Sequence, residues 1–253
     1  MAEEYQLEGE GELPVEADVL EDAHAAGVDS LLDVTDSLTF GDEGFASDGV
    51  HLSGEPLRRS LVLGDDDPRD AALRERVLGE QTVFEGRIFS VDRLRVGLPD
   101  GRDALRDVVR HPGAVAIVAL TDDGRICLVR QYRTALGRVT VEVPAGKLDP
   151  GEDPLDCARR ELTEETGMEA ERMAYLTTIA SSVGFCDELI HIYMATGLTF
   201  SASSPDADEF INVDLVDLSE FIDAVLDGRI EDSKTVVGAL ICDAVAHRLE
   251  PTE

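Results

Sequence analysis

Glu161, Glu164 and Glu165 stand close together in this chain. Residues three and four apart share one face of a helix, so a helix here crowds three carboxylates together. Like charges at that spacing repel, and keeping them together near neutral pH requires open solvent or a counter-charge. Hard oxygen donors in close array suit Mg²⁺ or Mn²⁺. Glu152, ahead of the helix, can reach the same region, and Arg160 can hold a carboxylate by a charge-assisted hydrogen bond. Taken alone, Glu-x-x-Glu-Glu is more simply the solvated face of an acidic helix, so the elements around it must carry the argument.

Those elements are legible. Pro154 to Thr166 reads as a helix, with Asp153 as its cap, Pro154 in its first turn and Gly167 to end it. Ahead of it, Leu94, Val96 and Leu98 alternate with Arg93, Arg95 and Gly97 before the turn Pro99-Asp100-Gly101, a strand and hairpin within residues 83–98. Residues 114–120 are a buried apolar run, Asp122-Asp123-Gly124 a turn and residues 126–132 a return, which predicts a second hairpin. Strands are expected over 174–180, 189–196 and 211–216, and helices over 219–226 and 233–249. This order predicts an α+β fold with a mixed or antiparallel sheet.

From Gly146 through Glu152 and Arg160 to Met168 the chain has the form G-x5-E-x7-R-E-U-x-E-E-x-G-U, with Leu162 and Met168 at the bulky aliphatic U positions. This is the Nudix box, and the chain resembles the Nudix hydrolases, enzymes that hydrolyse a nucleoside diphosphate linked to another moiety. The resemblance implies an αβα sandwich with a mixed sheet. It implies metal ligation by Glu161 and Glu165, support from Glu164 and Glu152, the Ala145 carbonyl as a backbone ligand, and Arg160 orienting the glutamates. Gly146 and Gly151 then serve the loop backbone.

The flanks resemble the ADP-ribose pyrophosphatase branch. Residues 84–89 look like its opening strand, 111–115 with 129–133 like its first core hairpin, and Glu142-Val143-Pro144-Ala145-Gly146 like its lead into the box. The branch implies a homodimer, with Arg133, Glu142, Gly184 and Glu188 as candidate substrate contacts. Its usual Ser-Pro-Gly reads Ser182-Val183-Gly184 here. Its acidic cluster before the last core strand reads Asp206-Ala207-Asp208-Glu209-Phe210, with alanine where a glutamate is common. The general-base role would pass to Asp206, Asp208, Glu209 or a box glutamate, with Glu209 also a candidate metal ligand. The substrate implied is ADP-ribose or a related nucleoside diphosphate sugar. The competing readings are a Nudix enzyme for another nucleoside diphosphate derivative, and a catalytically weakened ligand-sensing domain whose acidic extension binds a basic partner.

Composition bounds the rest. The 253 residues carry a formal charge of −32, a field that repels phosphate backbones and anionic lipid and argues against nucleic-acid or membrane partners. Residues 1–80 hold 22 acids and 5 bases, without sustained apolar periodicity. They read as a mostly flexible acidic extension, with one short helix conceivable over 16–26, ahead of a Nudix domain over 81–253. No basic leader, apolar span or close cysteine pair is present, so a cytoplasmic protein with reduced, mostly buried thiols is expected. The five histidines are scattered, and none is assigned a catalytic role. Of the 22 basic residues only Lys147 and Lys234 are lysine; the acidity fits high-salt adaptation or simply an acidic tail.

Overall fold

The computed structural model describes residues 68–200 and 210–249. The helix considered over 16–26, most of the acidic segment and the cluster Asp206 to Glu209 lie outside the described residues. Within the described residues a short 3₁₀ helix (Pro68–Ala72) precedes β1 (Arg76–Glu85), which starts slightly ahead of residue 81, and β2 (Ser90–Gly97) and β3 (Asp103–Arg110) follow. Next come β4 (Ala114–Ala119), β5 (Arg125–Arg133), β6 (Arg138–Glu142), β7 (Ala145–Lys147), α1 (Pro154–Thr166), β8 (Met168–Ala180) and β9 (Leu189–Phe200). The described chain closes with β10 (Ile211–Asp217), α2 (Leu218–Leu226) and α3 (Ser233–Leu249).

β4 organises the core. All six of its residues are buried, because helices cover both faces, and a strand buried on both sides must be apolar throughout rather than alternating. Val115, Ile117 and Ala119 pack with Cys157, Ala158 and Leu162 of α1. Ala114, Ala116 and Val118 pack on the other side with Phe221, Ile222 and Val225 of α2 and Ala239 and Cys242 of α3. The result is the αβα sandwich that the resemblance implied. Its sheet runs β7-β4-β9-β8, with β4 and β9 parallel and the other pairs antiparallel, hence mixed.

The expected second hairpin is only partly realised. The turn closes, with Gly124 N–H donating to the Thr121 carbonyl at 3.0 Å and Leu120 bridging Ile126. Beyond it β4 and β5 part, and β5 pairs with β6 and β10 in a second sheet. The reason is competition for an edge: the short strand β7 occupies the side of β4 opposite β9, in register Ala116↔Ala145, Val115↔Gly146 and Ala114↔Lys147. Pro144 extends the contact, its carbonyl accepting from Ile117 N–H at 2.8 Å. β1, β2 and β3 form a separate antiparallel sheet.

Helix α1 keeps its predicted bounds. Asp153 Oδ1 accepts from Leu155 N–H at 2.8 Å, and Gly167, at φ 70°, closes the C-terminus by donating to the Thr163 carbonyl at 2.8 Å. A left-handed terminal residue favours glycine because a Cβ crowds the following carbonyl. Cys127, Cys157 and Cys242 are buried free thiols and Cys186 is half-buried.

Helix α3 reaches the sheet through Gly238, where an added Cβ would lie 2.8 Å from Val118 Cγ2 and 3.3 Å from Ile192 Cγ2. Alanine would gain roughly 1 kcal/mol of helix propensity. Overpacking against stiff β-branched neighbours costs about 1–3 kcal/mol and prevails. Gly238→Ala is therefore expected to lower the denaturant midpoint with an unchanged slope, and an equal or higher midpoint would contradict this packing.

Candidate active site

α1 presents two carboxylates on its buried face. Glu161 and Glu165 are 9% and 5% exposed, alongside Cys157, Ala158 and Leu162 of the same helix, so the glutamates are not the solvated stripe of an acidic helix. Arg160 supplies counter-charge. Its Nε and Nη2 donate to Glu152 Oε1 and Oε2, each at 2.9 Å. Its Nη1 donates to Glu161 Oε1 at 2.7 Å and Glu164 Oε2 at 3.0 Å. Nη2 also reaches the Lys147 carbonyl at 3.2 Å, tying the helix to β7. One guanidinium thus gathers three of the four box glutamates. These bonds raise the Arg160 pKa, the Glu152 pair first, and hold the Glu152 carboxyl down at about 2, with help from the Asp149 N–H.

The fourth, Glu165, is fixed from the strand side, where Oε2 accepts from Ala145 N–H at 3.0 Å. Next to it, Gly146 lies so close to Glu161 that an added Cβ would fall 1.9 Å from the carboxyl carbon. The box glycine is therefore what leaves the Glu161 carboxylate in this position: a side chain there would force the carboxyl group to swing away. Pairing with β4 holds that backbone in place.

A cleft of about 870 Å³ opens over this array. Ala145, Gly146, Arg160, Glu161, Glu164 and Glu165 form one wall; Arg87, Arg133, Lys147 and Lys234 add four cationic side chains. In a chain of charge −32, both lysines present line this one cleft, a juxtaposition suited to an anionic ligand beside carboxylates. Among the described residues no three acidic, cysteine or histidine side chains converge at metal-ligand distance. The donor chemistry nonetheless fits a hard divalent cation, being two buried carboxylates with further carboxylates beside them.

The other predicted residues fall as follows. Arg133 and Glu142 meet each other: Nε and Nη2 donate to Glu142 Oε1 and Oε2, both at 2.7 Å. Glu142 is 3% exposed and also accepts from Lys234 and Thr140. Glu188 lines the cleft with Oε1 3.2 Å from His111 Nδ1. Gly184 is at the exposed tip of its loop, away from the cleft lining. The proline absent at Val183 is replaced by turn bonds, Phe185 and Cys186 N–H both donating to the Ser182 carbonyl. The loop is anchored by Asp187, whose carboxylate accepts from His111 N–H at 2.9 Å and Arg110 Nη1 at 3.1 Å. Asp208 and Glu209 lie outside the described residues. Sequence reasoning missed Lys234, Asp232, Arg87 and His111; the scarcity of lysine was the one available signal for Lys234.

The NUDIX domain family model matches residues 110–237. The methanol dehydrogenase activator of Bacillus methanolicus is 45% identical over 165 residues, 64% of this chain and 89% of that protein. The ADP-ribose pyrophosphatase of Bacillus subtilis is 39% identical over 166 residues, 65% and 90% of the two chains. A crystal structure of an ADP compounds hydrolase superposes with TM-score 0.64 at 21% identity, covering 71% of this chain and 98% of the other. The chain belongs to the Nudix family and is a pyrophosphohydrolase of its ADP-ribose pyrophosphatase-like branch.

Gly146→Ala is expected to lower turnover about 100-fold, since displacement of a reacting group by an ångström costs that much, while the fold, judged by unfolding temperature, changes far less. A fully active variant would show that Glu161 does not need its position. The Glu142 carboxyl yields a pH prediction. Burial alone would raise it, but Arg133, Lys234 and Thr140 together pull it from 4.5 to about 2. Its stabilising contribution is complete above pH 4.5 and disappears as pH falls towards 2. The stability difference between wild type and Glu142→Gln should be constant from pH 7 to about 5 and shrink below that; a difference independent of pH down to 2.5 would contradict the assignment.

Proposed function

We propose that the enzyme hydrolyses the diphosphate bond of ADP-ribose, or of a related nucleoside diphosphate sugar, with Mg²⁺ or Mn²⁺ as cofactor. The observation that carries this reading is the juxtaposition of the Arg160-gathered glutamates and the cationic side chains within one cleft. A diphosphate needs both: cations to receive its negative oxygens, and carboxylates to hold the divalent ion that such chemistry uses. Glu161 and Glu165 would hold that ion, with Glu164, Glu152 and the Ala145 carbonyl in support. When bound, it supplies charge neutralisation at phosphorus and a more acidic water.

The chain's own groups do the remainder. Arg160 holds and aims Glu152, Glu161 and Glu164, Gly146 admits Glu161, and the Ala145 amide orients Glu165. Arg87, Arg133 and Lys147 are positioned to receive phosphate oxygens, and Glu188 beside His111 offers a further carboxylate in the cleft lining. Water adds to one phosphorus as the bridging P–O bond breaks, giving AMP and ribose 5-phosphate from ADP-ribose. Asp208 and Glu209 remain our candidates for the proton acceptor, Glu209 also as a ligand. Gly184, at its exposed loop tip, is retained only as a neighbour of the ligand. The enzyme acts as a homodimer in this proposal, supported by exposed Val77, Val83, Phe84 and Leu105 on the β1–β3 sheet. Cytoplasmic residence accords with the free thiols. Among the described residues no helix is long and apolar enough to cross a membrane.

The test is AMP release from ADP-ribose with Mg²⁺ and with a chelator. Activity should require the metal, and Glu165→Gln should lower turnover by about 100-fold or more with an unchanged unfolding temperature, since an amide oxygen can still accept from Ala145 N–H. Wild-type turnover by this variant, or turnover in the chelator, would overturn the metal assignment; absence of AMP release by the parent would overturn the substrate.

A further inference from the structure

Glu142 has no capacity left for a ligand. Oε1 accepts from Arg133 Nε at 2.7 Å and Thr140 Oγ1 at 2.6 Å, and Oε2 from Arg133 Nη2 at 2.7 Å and Lys234 Nζ at 2.5 Å. A carboxylate offers about four acceptor sites, and all are filled. Lys234, with its side chain only 12% exposed, spends its second bond on Asp232 Oδ1 at 2.9 Å. Asp232 in turn caps α3, Oδ2 accepting from Thr235 N–H at 3.1 Å and from Thr235 Oγ1. Thr235 Oγ1 also lies 2.9 Å from Val143 N–H, so the end of β6 and the start of α3 are joined here.

Arg133 is the one member of this cluster that reaches well out of it. Its side chain is 42% exposed, it lines the cleft, and among the described residues Nη1 makes no hydrogen bond to protein. The fork is held on one edge and open on the other, which is the arrangement that a phosphate oxygen accepts. The two cations and two carboxylates balance, so burial leaves no net charge. Without Lys234, Arg133 would face two carboxylates, and the cluster would repel an anion.

We infer that Glu142, Lys234 and Asp232 are positioning residues that present the open edge of the Arg133 guanidinium to a phosphate of the substrate's diphosphate. This rests on the diphosphate reading above. Because the contact already holds a phosphate in the bound ground state, its loss raises KM and weakens binding of a free diphosphate, and kcat falls as well where charge on that phosphate grows as the bond breaks.

The experiment compares wild type, Lys234→Met, the charge-restoring double variant Lys234→Met with Asp232→Asn, and Arg133→Lys. Asparagine still caps a helix. Two measurements are made: kcat and KM for ADP-ribose with Mg²⁺, and calorimetric affinity for inorganic pyrophosphate with a chelator. Lys234→Met should raise KM and weaken pyrophosphate binding, each by roughly fivefold or more. The double variant should recover most of both, which a merely structural loss would not do. Arg133→Lys, which keeps the charge but loses the planar fork, should also raise KM. If Lys234→Met fails to fold, Arg133→Lys decides: unchanged KM and pyrophosphate affinity overturn the inference. A folded Lys234→Met with unaltered KM and affinity overturns it too. If the parent releases no AMP, the substrate reading fails, while the pyrophosphate affinities still test the clamp.

Discussion

Everything at this site depends on how one protein stores four carboxylates next to each other at neutral pH. The solution is a single guanidinium used to capacity. Arg160 donates to Glu152, Glu161 and Glu164 and to the Lys147 carbonyl, so its planar fork neutralises charge and also locates the helix relative to β7. A lysine could match the charge but not this geometry, since its ammonium is one point with three rotatable donors. With Arg160 in place, burying Glu161 and Glu165 becomes affordable in electrostatic terms, and the inward face of α1 can carry both core and chemistry.

The second constraint is steric, and it comes from β4. A strand buried on both faces cannot contribute polar side chains to a site, yet it can hold the backbone that does. By pairing with β7, β4 fixes Ala145 to Lys147 at a distance from α1 where Gly146 alone fits against Glu161. The same pairing keeps β5 from completing its hairpin with β4, and so leaves β5 to join β6 and β10 and to bring Arg133 to the cleft.

What could be read in the sequence was whatever is decided locally. α1 and its caps were legible because Asp153, Pro154 and Gly167 act within a turn of the positions they control. The β4 run was legible because two-sided burial demands unbroken apolarity. Its neighbours were not: β7 is three residues long and contains no apolar residue larger than alanine, so nothing in the pattern marks the strand that displaces β5. Arg133 and Glu142 were both picked out, as separate ligand contacts, although they are partners of each other. Lys234 and Asp232 were not picked out at all, since the bond from Lys234 to Glu142 spans 92 residues.

The two halves of the cleft also differ in the length of chain that closes them. Arg160 and Glu152 are 8 residues apart and Ala145 and Glu165 are 20 apart, so the carboxylate half closes over short loops at small entropic cost. Lys234, by contrast, waits for α3 to arrive from far along the chain, its bond to Glu142 spanning 92 residues. A nascent or partly opened molecule can therefore own its carboxylate array before Lys234 balances Glu142, and the neutral cluster behind Arg133 is a property of the completed fold alone.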